Sequence, residues 1–441
     1  MAAALSPPGV PAGDVLLYQA YVGNLSKVLE STPREAIEGY FVWRAVLAVR
    51  TAVLTTDDDD VFKPFNNLRQ RLSGVVGELA TPPRWRTCLS FASNSLGWFL
   101  SRFFIETTFS ARDRELSNQI VADVRSVYVA NFGTLPWMDD ATRQKAIEKV
   151  DRMAQKIGYP TDSPNVADPE TLRDLYAGVE VTASHFDTSI SISNDTMVKT
   201  WNKLAGPTDR ENWGSYYPII ANARYRSEVN EVLFPAGILQ PPVFFGGGDV
   251  PSAVNYGAFG AVAGHEVSHG FDRNGRNFDS AGRLVNWWSD GVLAEYNRRS
   301  QCFVDQFGNM TVYANDGGGG ATTNKTRKGF KLDAQRTLGE NQADSAGIVA
   351  AFASWQMRKT LNGKQKEPAL PGLEEWTDEQ LFFLAYGNFW CGVISEEGLR
   401  LQIATDSHAP NAARTLGTTA NSRAFREAFG CRVTEPTCSL W

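Results

Sequence analysis

The sequence predicts a mainly α-helical protein with a small β portion, and three observations support this fold class. Residues 120–128 carry apolar side chains at helical spacing, and residues 147–157 repeat the pattern more clearly. Residues 337–355 begin with polar side chains and continue with the apolar periodicity of another helix. Between Asn222 and Pro242 the chain instead becomes extended and aliphatic, which suits an edge strand followed by a proline-stopped turn.

The clearest helix prediction is the segment LPWMDDATRQKAIEKVDRMAQKIGYP. Asp139 or Asp140 can cap its N-terminus, because an aspartate side chain accepts hydrogen bonds from the first unpaired backbone N–H groups. Gly158 and Pro160 would end it. We therefore expect one helix that continues as far as Ile157 and packs its apolar stripe on a core.

The size and charge of the chain limit its organisation and its partners. At 441 residues it is too long for one compact core, which indicates two or more lobes. A net charge of −6 removes the main electrostatic drive for binding a polyanion, so we expect no nucleic-acid partner. No apolar run approaches the ~20 residues that span a bilayer, so no membrane span is expected in this chain.

Sequence features disagree about the cellular compartment of the protein. The first residues lack the basic and apolar regions of a signal peptide, which taken alone suggests a cytosolic protein. Other features point outward, since N-x-S/T glycosylation sequons occur at Asn24, Asn194, Asn309 and Asn324. The five cysteines make an odd count, which five separate free thiols would explain.

The stretch GHEVSHGFD, from Gly264 to Asp272, places two histidines four residues apart with a glutamate after the first. The preceding small residues, YGAFGAVAG, can form a helix that continues into it. Positions i and i+4 share one face of a helix, so His265 and His269 can bind one metal ion. Glu266 then lies where a general base for water is needed. The competing interpretation is a surface helix with paired histidines.

A catalytic zinc needs a third protein ligand and keeps its fourth position open. The best candidate is Glu340, in TLGENQADSAGIVAAFASW, with Asp344 one helical turn later. Asp344 could hydrogen-bond a zinc-binding histidine and fix its tautomer. Taken alone, such a pair more often marks a solvated helix face, and it gains weight only from the other site residues.

Two further polar residues lie in ATDSHAPNAARTLG. His408 could stabilise the oxyanion that forms when water attacks a peptide carbonyl, and Arg414 could bind a substrate carbonyl or carboxylate. The alternative for each is an ordinary loop residue with satisfied hydrogen bonds.

In order and spacing, the chain resembles the neprilysin and endothelin-converting-enzyme family of zinc metallopeptidases over almost its whole length. The matching blocks are NARY, VLFPAGILQPP, NYGAFGAVAGHEVSHGFDRNGRNFDSAGRLVNWW, TLGENQADSAG, LFFLAYGNFWCGV, DSHAPNAARTLG, AFREAFGC and CSLW. The HExxH pattern alone is moderately specific, whereas this ordered series is highly specific.

The resemblance implies a role for each matching site residue. His265, His269 and Glu340 would bind one zinc ion, and Glu266 would activate water. Asp344 would orient a ligand histidine, and His408 would stabilise the transition state. The residues implied to contact the peptide main chain are Asn222, Ala223 and Arg414. Those implied to line a pocket for the apolar side chain after the scissile bond are Phe389, Trp390, Ile238 and Val262.

The resemblance also implies an architecture and a compartment. The family fold has two mostly helical lobes around a cavity, with a catalytic lobe similar to thermolysin. We therefore expect a partial helical lid lobe in residues 1–190 and the catalytic lobe in 191–441. Family members are anchored or secreted ectodomains, so an extracellular or cell-surface location is expected. The family's cytoplasmic tail, membrane span and about half of its lid lobe have no counterpart in this sequence.

Two details of the resemblance concern individual residues. Arg224 stands where the family motif usually has an aromatic residue, which could alter peptide preference. Cys302 matches a family cysteine that pairs with the one matching Cys438, while Cys88, Cys391 and Cys431 match cysteines with partners upstream. A Cys302–Cys438 bridge would close a loop of more than a hundred residues and contribute on the order of 5 kcal/mol.

Three functions compete on this evidence. The first is an active zinc endopeptidase that cleaves short peptides before large apolar residues. The second is a non-catalytic peptide- or protein-binding relative, inactive because part of the lid is missing, although no ligand and no base is lost. A purely structural zinc site fits poorly, because such sites normally have four protein ligands.

Overall fold

The computed structural model describes residues 19–53, 63–72, 83–314, 328–363, 367–433 and 437–441. The chain divides into two compact units, one of residues 1–68, 78–99 and 161–212 and the other of 69–77, 100–160 and 213–441. The helices are α1 Gln19–Ser31, α2 Arg34–Val53, α3 Lys63–Leu72, α4 Arg84–Ser95, α5 Gly97–Thr108, α6 Ala111–Thr134, α7 Asp140–Asp151, α8 Pro169–Leu175, α9 His185–Asn202, α10 Ser252–Asn255, α11 Ala261–Ser268, α12 Asp290–Asn309, α13 Leu338–Leu361, α14 Asp378–Phe389, α15 Glu396–Thr405, α16 Asn411–Asn421 and α17 Arg423–Phe429.

The strands are few and short, so the predicted mainly α class is confirmed. They are β1 Ala154–Gly158, β2 Arg224–Arg226, β3 Glu231–Pro235, β4 Thr311–Tyr313 and β5 Gly329–Lys331. Within the described ranges, no helix is both long and apolar enough to cross a bilayer.

The first unit is helical. In it, α2 packs against α9. The shorter α8 begins at Pro169, and the preceding Asp168 caps it by accepting hydrogen bonds from the backbone N–H groups of Glu170 and Thr171. Proline suits this first position because its missing N–H would have no partner there.

The second unit is built around α13, which packs against α6, α11 and α16. The predicted apolar stripe of residues 120–128 lies on α6, where its aliphatic side chains and Tyr128 are fully or almost fully buried. Asp139, rather than Asp140, caps α7, because its carboxylate accepts a 2.7 Å hydrogen bond from the Thr142 N–H. The predicted stripe on α6 therefore packs on the core, and α7 begins where the sequence predicts.

The predicted end of α7 is wrong. The helix stops at Asp151, and residues 154–158 form β1, which pairs in parallel with β3 from Ala154 opposite Glu231 to Gly158 opposite Pro235. Strand pairing also buries Lys156, whose ammonium forms a 2.8 Å ion pair with Glu231. Apolar spacing within residues 147–157 fits a helix, but the available partner strand decides the backbone conformation.

The predicted edge strand is also wrong in one respect. The stretch between Asn222 and Pro242 forms both β2 and β3, and the strand order is β1-β3-β2. All five residues of β3 are buried, so β3 is the central strand, and β2 is an edge strand that pairs with it antiparallel. The reason is that β1 pairs with the side of β3 that an edge strand would leave unpaired.

The expected division at residue 190, between a lid lobe and a catalytic lobe, stays a prediction. By packing, residues 100–160 belong with residues 213–441. The predicted disulfide between Cys302 and Cys438 is confirmed, and Cys88, Cys391 and Cys431 are free and exposed.

Candidate active site and metal centre

The two histidines of the HExxH motif lie at the end of a continuous helical segment. It begins with α10, passes through one π-helical turn at residues 256–260 and continues as α11. His265 lies in α11 and His269 directly follows it, so the rings are one turn apart and their Nε2 atoms approach to 2.9 Å. Every residue of α11 is buried, which excludes the alternative of an exposed surface helix.

Two glycines let α11 and α13 touch backbone to backbone. A Cβ on Gly264 would lie 2.5 Å from the carbonyl oxygen of Gly347, and a Cβ on Gly347 would lie 2.6 Å from the His265 nitrogen. Neither clash could be relieved by moving a flexible side chain. This close approach carries Glu340, in the first turn of α13, to the histidines.

His265, His269 and Glu340 together form a cluster that could hold a metal ion. Glu340 Oε2 lies 3.2 Å from His265 Nε2 and 3.5 Å from His269 Nε2. On the opposite side of each ring, Nδ1 contacts a carboxylate, Asp344 at 2.8 Å and Asp272 at 2.7 Å. Nδ1–H donation to these carboxylates leaves both Nε2 lone pairs directed at the Glu340 oxygen, and a shared cation relieves their repulsion.

The charges of the cluster also suit a cation. Burial raises the pKa of the Glu340 carboxyl, but when the rings of His265, His269 and His408 are protonated, their hydrogen bonds outweigh this and hold that pKa far below its ordinary range. Burial likewise opposes ionisation of Asp344, but the nearby Arg414 charge brings its pKa down to about 2. Both carboxylates are therefore ionised at neutral pH. Two imidazole nitrogens with one carboxylate are the ligand set of many catalytic zinc sites.

Glu266 lies beside this cluster but is not one of its three members. Its carboxylate is buried and accepts a hydrogen bond from the backbone N–H of Tyr225 in β2. Burial raises the pKa of Glu266, and the two histidines oppose that shift. A carboxylate with a raised pKa takes up a proton more readily than an exposed one.

His408 lies between α15 and α16, and Arg414 lies in the first turn of α16. His408 Nε2 lies 3.2 Å from Glu340 Oε2, and its Nδ1 lies 2.8 Å from Asp406 Oδ1. The buried Arg414 donates two 2.7 Å hydrogen bonds to Asp344, so it secures the carboxylate that holds His265. Neither residue is an ordinary loop residue.

One cavity of about 480 Å³ connects all the predicted site residues. Its lining contains the three cluster residues with Glu266, Asp344, His408 and Arg414, the main-chain binding candidates Asn222 and Ala223, and the apolar candidates Phe389, Trp390, Ile238 and Val262. The Arg414 guanidinium lies 3.9 Å from the centre of the Trp390 ring.

Sequence reasoning missed Asp272 and Asp406, which hold His269 and His408. Each had a local signal, because Asp272 follows His269 by three residues and Asp406 precedes His408 by two. It also missed Lys149, on α7. The buried Lys149 ammonium donates hydrogen bonds to the carbonyls of Gly270, Gly275 and Phe278, at 2.7, 2.7 and 2.6 Å. No motif marks this contact.

Lys149 stabilises the loop that carries Asp272. Burial lowers the pKa of Lys149 to about 7, but three carbonyl acceptors need three N–H donors, which only the ammonium form supplies. The same loop folds around Asp272, whose Oδ1 accepts hydrogen bonds of 2.7 Å from the N–H groups of Asn274 and Gly275. Lys149 therefore fixes the main chain of the loop that carries Asp272, the hydrogen-bond partner of His269.

Lys149→Met is expected to lower the free energy of unfolding by about 3 kcal/mol or more, because two buried carbonyls and one half-buried carbonyl lose their donor. Chemical denaturation measures the change. Lys145→Met, at an exposed position of the same helix, is the matched control and should change stability little. Equal unfolding midpoints for the two variants would contradict the role of Lys149.

Comparison with known proteins identifies the family of this chain. Residues 222–439 and 6–160 match two models that are both described as peptidase family M13. The chain is 34% identical over 430 residues to neprilysin-11 of Caenorhabditis elegans, covering 96% of this chain and 47% of that protein. It is 33% identical over 435 residues to human neprilysin, covering 97% and 54%.

A solved structure agrees with the sequence comparisons. Zinc metalloprotease Zmp1 of Mycobacterium tuberculosis, in complex with an inhibitor, superposes with a TM-score of 0.72 at 27% identity, covering 94% of this chain and 57% of that one. The chain spans about half the length of the relatives that it matches. From its sequence, fold and site together, this chain belongs to peptidase family M13, the neprilysin family.

Proposed function

We propose that this chain acts as a zinc-dependent endopeptidase that cleaves short peptides on the N-terminal side of large apolar residues. One observation carries the proposal: a single cavity contains the His265–His269–Glu340 cluster, the unligated carboxylate of Glu266 and an apolar wall. A metal-binding cluster alone is compatible with a structural role. A buried base and a substrate-sized space beside it are what hydrolysis requires.

His265, His269 and Glu340 would hold the zinc ion, and their number leaves a coordination position open. When bound, zinc supplies a Lewis acid that polarises a carbonyl and lowers the pKa of water to about 7. Asp344 and Asp272, which contact the Nδ1 atoms of the two imidazole rings, would hold them in the required tautomer.

Glu266 would take the proton from the attacking water and pass it to the departing amine. Its burial raises its pKa toward the range in which a carboxylate both accepts and releases a proton. The N–H of Tyr225 hydrogen-bonds this carboxylate and limits its orientations. Glu266 would thus transfer the proton of the attacking water, while the metal held by the three-residue cluster would polarise the substrate carbonyl oxygen.

His408 would stabilise the negative oxygen that develops on the attacked carbonyl. Hydrogen bonding to Glu340 raises the pKa of His408, with Asp406 adding to the shift. A doubly protonated ring donates Nδ1–H to Asp406, and its Nε2–H, which faces Glu340 in this structure, would turn to an oxyanion when substrate is bound. A hydrogen bond that strengthens as charge develops accelerates the reaction.

The peptide would pair with the edge strand β2 near Asn222 and Ala223, since an edge strand can add a further strand. Arg414 has hydrogen-bonding capacity beyond its two bonds to Asp344 and would meet substrate main chain. The wall formed by Phe389, Trp390, Ile238 and Val262 would take the side chain after the cut. A charged side chain there would be buried unpaired, at a cost of several kcal/mol.

His408→Ala is expected to lower kcat by about a hundredfold with a smaller change in KM, because it removes a contact made mainly in the transition state. Steady-state kinetics on one peptide separate the two parameters. His185→Ala, at the one histidine that does not line the cavity, should leave both unchanged. An effect confined to KM would assign His408 to substrate binding instead.

The proposed function is tested with internally quenched peptides that place Phe, Leu, Lys or Asp after one defined bond. We expect cleavage of the Phe and Leu peptides before those residues, loss of cleavage with a chelator and recovery with added zinc. Mass spectrometry locates the cuts. Preference for Lys or Asp would contradict the apolar pocket, and zinc and peptide binding without any cleavage would identify a non-catalytic relative.

We also propose that the protein works in an extracellular or cell-surface compartment. The Cys302–Cys438 disulfide supports this, because disulfides persist mainly in oxidising compartments. Three sequon asparagines, Asn24, Asn194 and Asn309, are exposed and therefore accessible to glycosylation; Asn324 lies outside the described residues.

A further inference from the structure

Arg224 places a positive charge at the edge of the cavity. It is the first residue of β2, the edge strand next to the site, and it lines the same cavity as His265 and Glu266. Its side chain is exposed, and its guanidinium lies 5.5 Å from the centre of the Tyr216 ring.

Arg224 differs from the other arginine of the cavity, because no carboxylate among the described residues forms an ion pair with it. Arg414 is buried and donates two hydrogen bonds to Asp344, so its charge is already neutralised. Around Arg224, the described part of the chain places no carboxylate oxygen within ion-pair distance, and the aromatic face of Tyr216 is its contact. An arginine held over a ring keeps its planar N–H groups available for a carboxylate.

Tyr216 connects Arg224 to the proposed reaction centre. Its hydroxyl donates a 3.1 Å hydrogen bond to the carbonyl of Ala223, on the main chain that leads into β2. Burial raises the pKa of Tyr216, the negative charge of Glu266 raises it further, and the positive charge of Arg224 opposes both. The Arg224 charge is therefore close enough to influence the same hydroxyl as the proposed base.

We propose that Arg224 selects peptides with an acidic side chain at one position near the scissile bond. This inference rests on the proposed function and narrows its substrate class to peptides that combine an acidic residue with a large apolar residue after the cut. A peptide added to β2 runs past Arg224, and every second side chain of an extended strand points to the same face. An acidic side chain on that face meets a guanidinium with no competing anion.

The test is a peptide series that carries Glu, Gln or Lys, one position at a time, at each site around the cut except the apolar one. For the wild type we expect one position at which kcat/KM for Glu exceeds that for Lys by about tenfold, a modest ratio because the arginine is exposed. Arg224→Gln should remove this preference and Arg224→Glu should invert it. Raising the salt concentration should weaken the wild-type preference.

Arg273→Gln is the matched control, because it removes an exposed positive charge that does not line the cavity. It should keep the wild-type preference. An equal response to Glu and Lys at every position, or a preference that survives in Arg224→Gln, would overturn the proposal.

The two proposals can fail separately. Cleavage without a charge preference rejects the role of Arg224 and leaves the peptidase intact. If the wild type cleaves no peptide, the endopeptidase proposal fails, and titration of the same peptides into zinc-loaded protein still tests Arg224. Tighter binding of the Glu peptide to the wild type than to Arg224→Gln supports the role, and equal binding rejects it.

Discussion

Glu266→Gln is expected to lower kcat/KM for a cleavable peptide by about three orders of magnitude or more while one zinc ion stays bound per chain. The amide has almost the shape of the carboxylate but cannot accept a proton. Glu266 lies outside the three-residue cluster, so its replacement leaves the ligand set complete. Kinetics and elemental analysis on the same preparation measure both quantities.

Glu228→Gln is the control, since it makes the same chemical change at an exposed glutamate that does not line the cavity. It should keep both activity and zinc. Loss of zinc together with activity in Glu266→Gln would show that this carboxylate belongs to the metal site, and nearly full activity would assign the base to another group.

Glu340→Ala is expected to remove zinc and activity together. Its Oε2 lies within 3.5 Å of both histidine Nε2 atoms, and it is the one carboxylate of the three-residue cluster. We expect zinc affinity to fall by more than about a hundredfold. Loss of a residue that only hydrogen-bonds a ligand typically lowers metal affinity by about 10- to 100-fold, and loss of a ligand itself should cost more. Competition with a chromophoric chelator measures this affinity without any need for peptide cleavage.

Asp344→Asn provides the comparison, because Asp344 holds His265 and does not itself belong to the cluster. Its zinc affinity should fall by about 10- to 100-fold, less than for Glu340→Ala. His265→Ala should behave like Glu340→Ala. Wild-type zinc affinity in Glu340→Ala would remove this residue from the ligand set.

Local sequence patterns predicted the elements whose signal lies within one segment. The helices α6, α11 and α13 have apolar periodicity or small-residue runs that a helix alone explains. The strand β1 has no such independent signal. Its residues continue the apolar spacing of α7, and only pairing with β3 shows that they are extended.

The candidate site also has one part that local sequence predicts and another that depends on tertiary packing. The spacing of His265 and His269 places both rings on one helical face, because the α-helical repeat is a local property of the backbone. Glu340, Asp344, His408 and Arg414 were candidates from their residue types and local spacing, each with an ordinary alternative, and the resemblance to a family favoured their roles. Their convergence depends on α13 and α16 packing beside α11, which no local pattern specifies.

The sequence by itself determined the fold class, the paired histidines with the adjacent Glu266, and the family, because each is encoded in short-range spacing or in ordered motifs. Only the tertiary structure decided that Gly264 and Gly347 bring two helices into backbone contact and that Lys149 stabilises the loop of Asp272. It also decided that Arg224 lines the cavity with no carboxylate of the described ranges as its partner. These are contacts between residues far apart in the chain. Their energies depend on burial and on partners that exist only after the chain has folded.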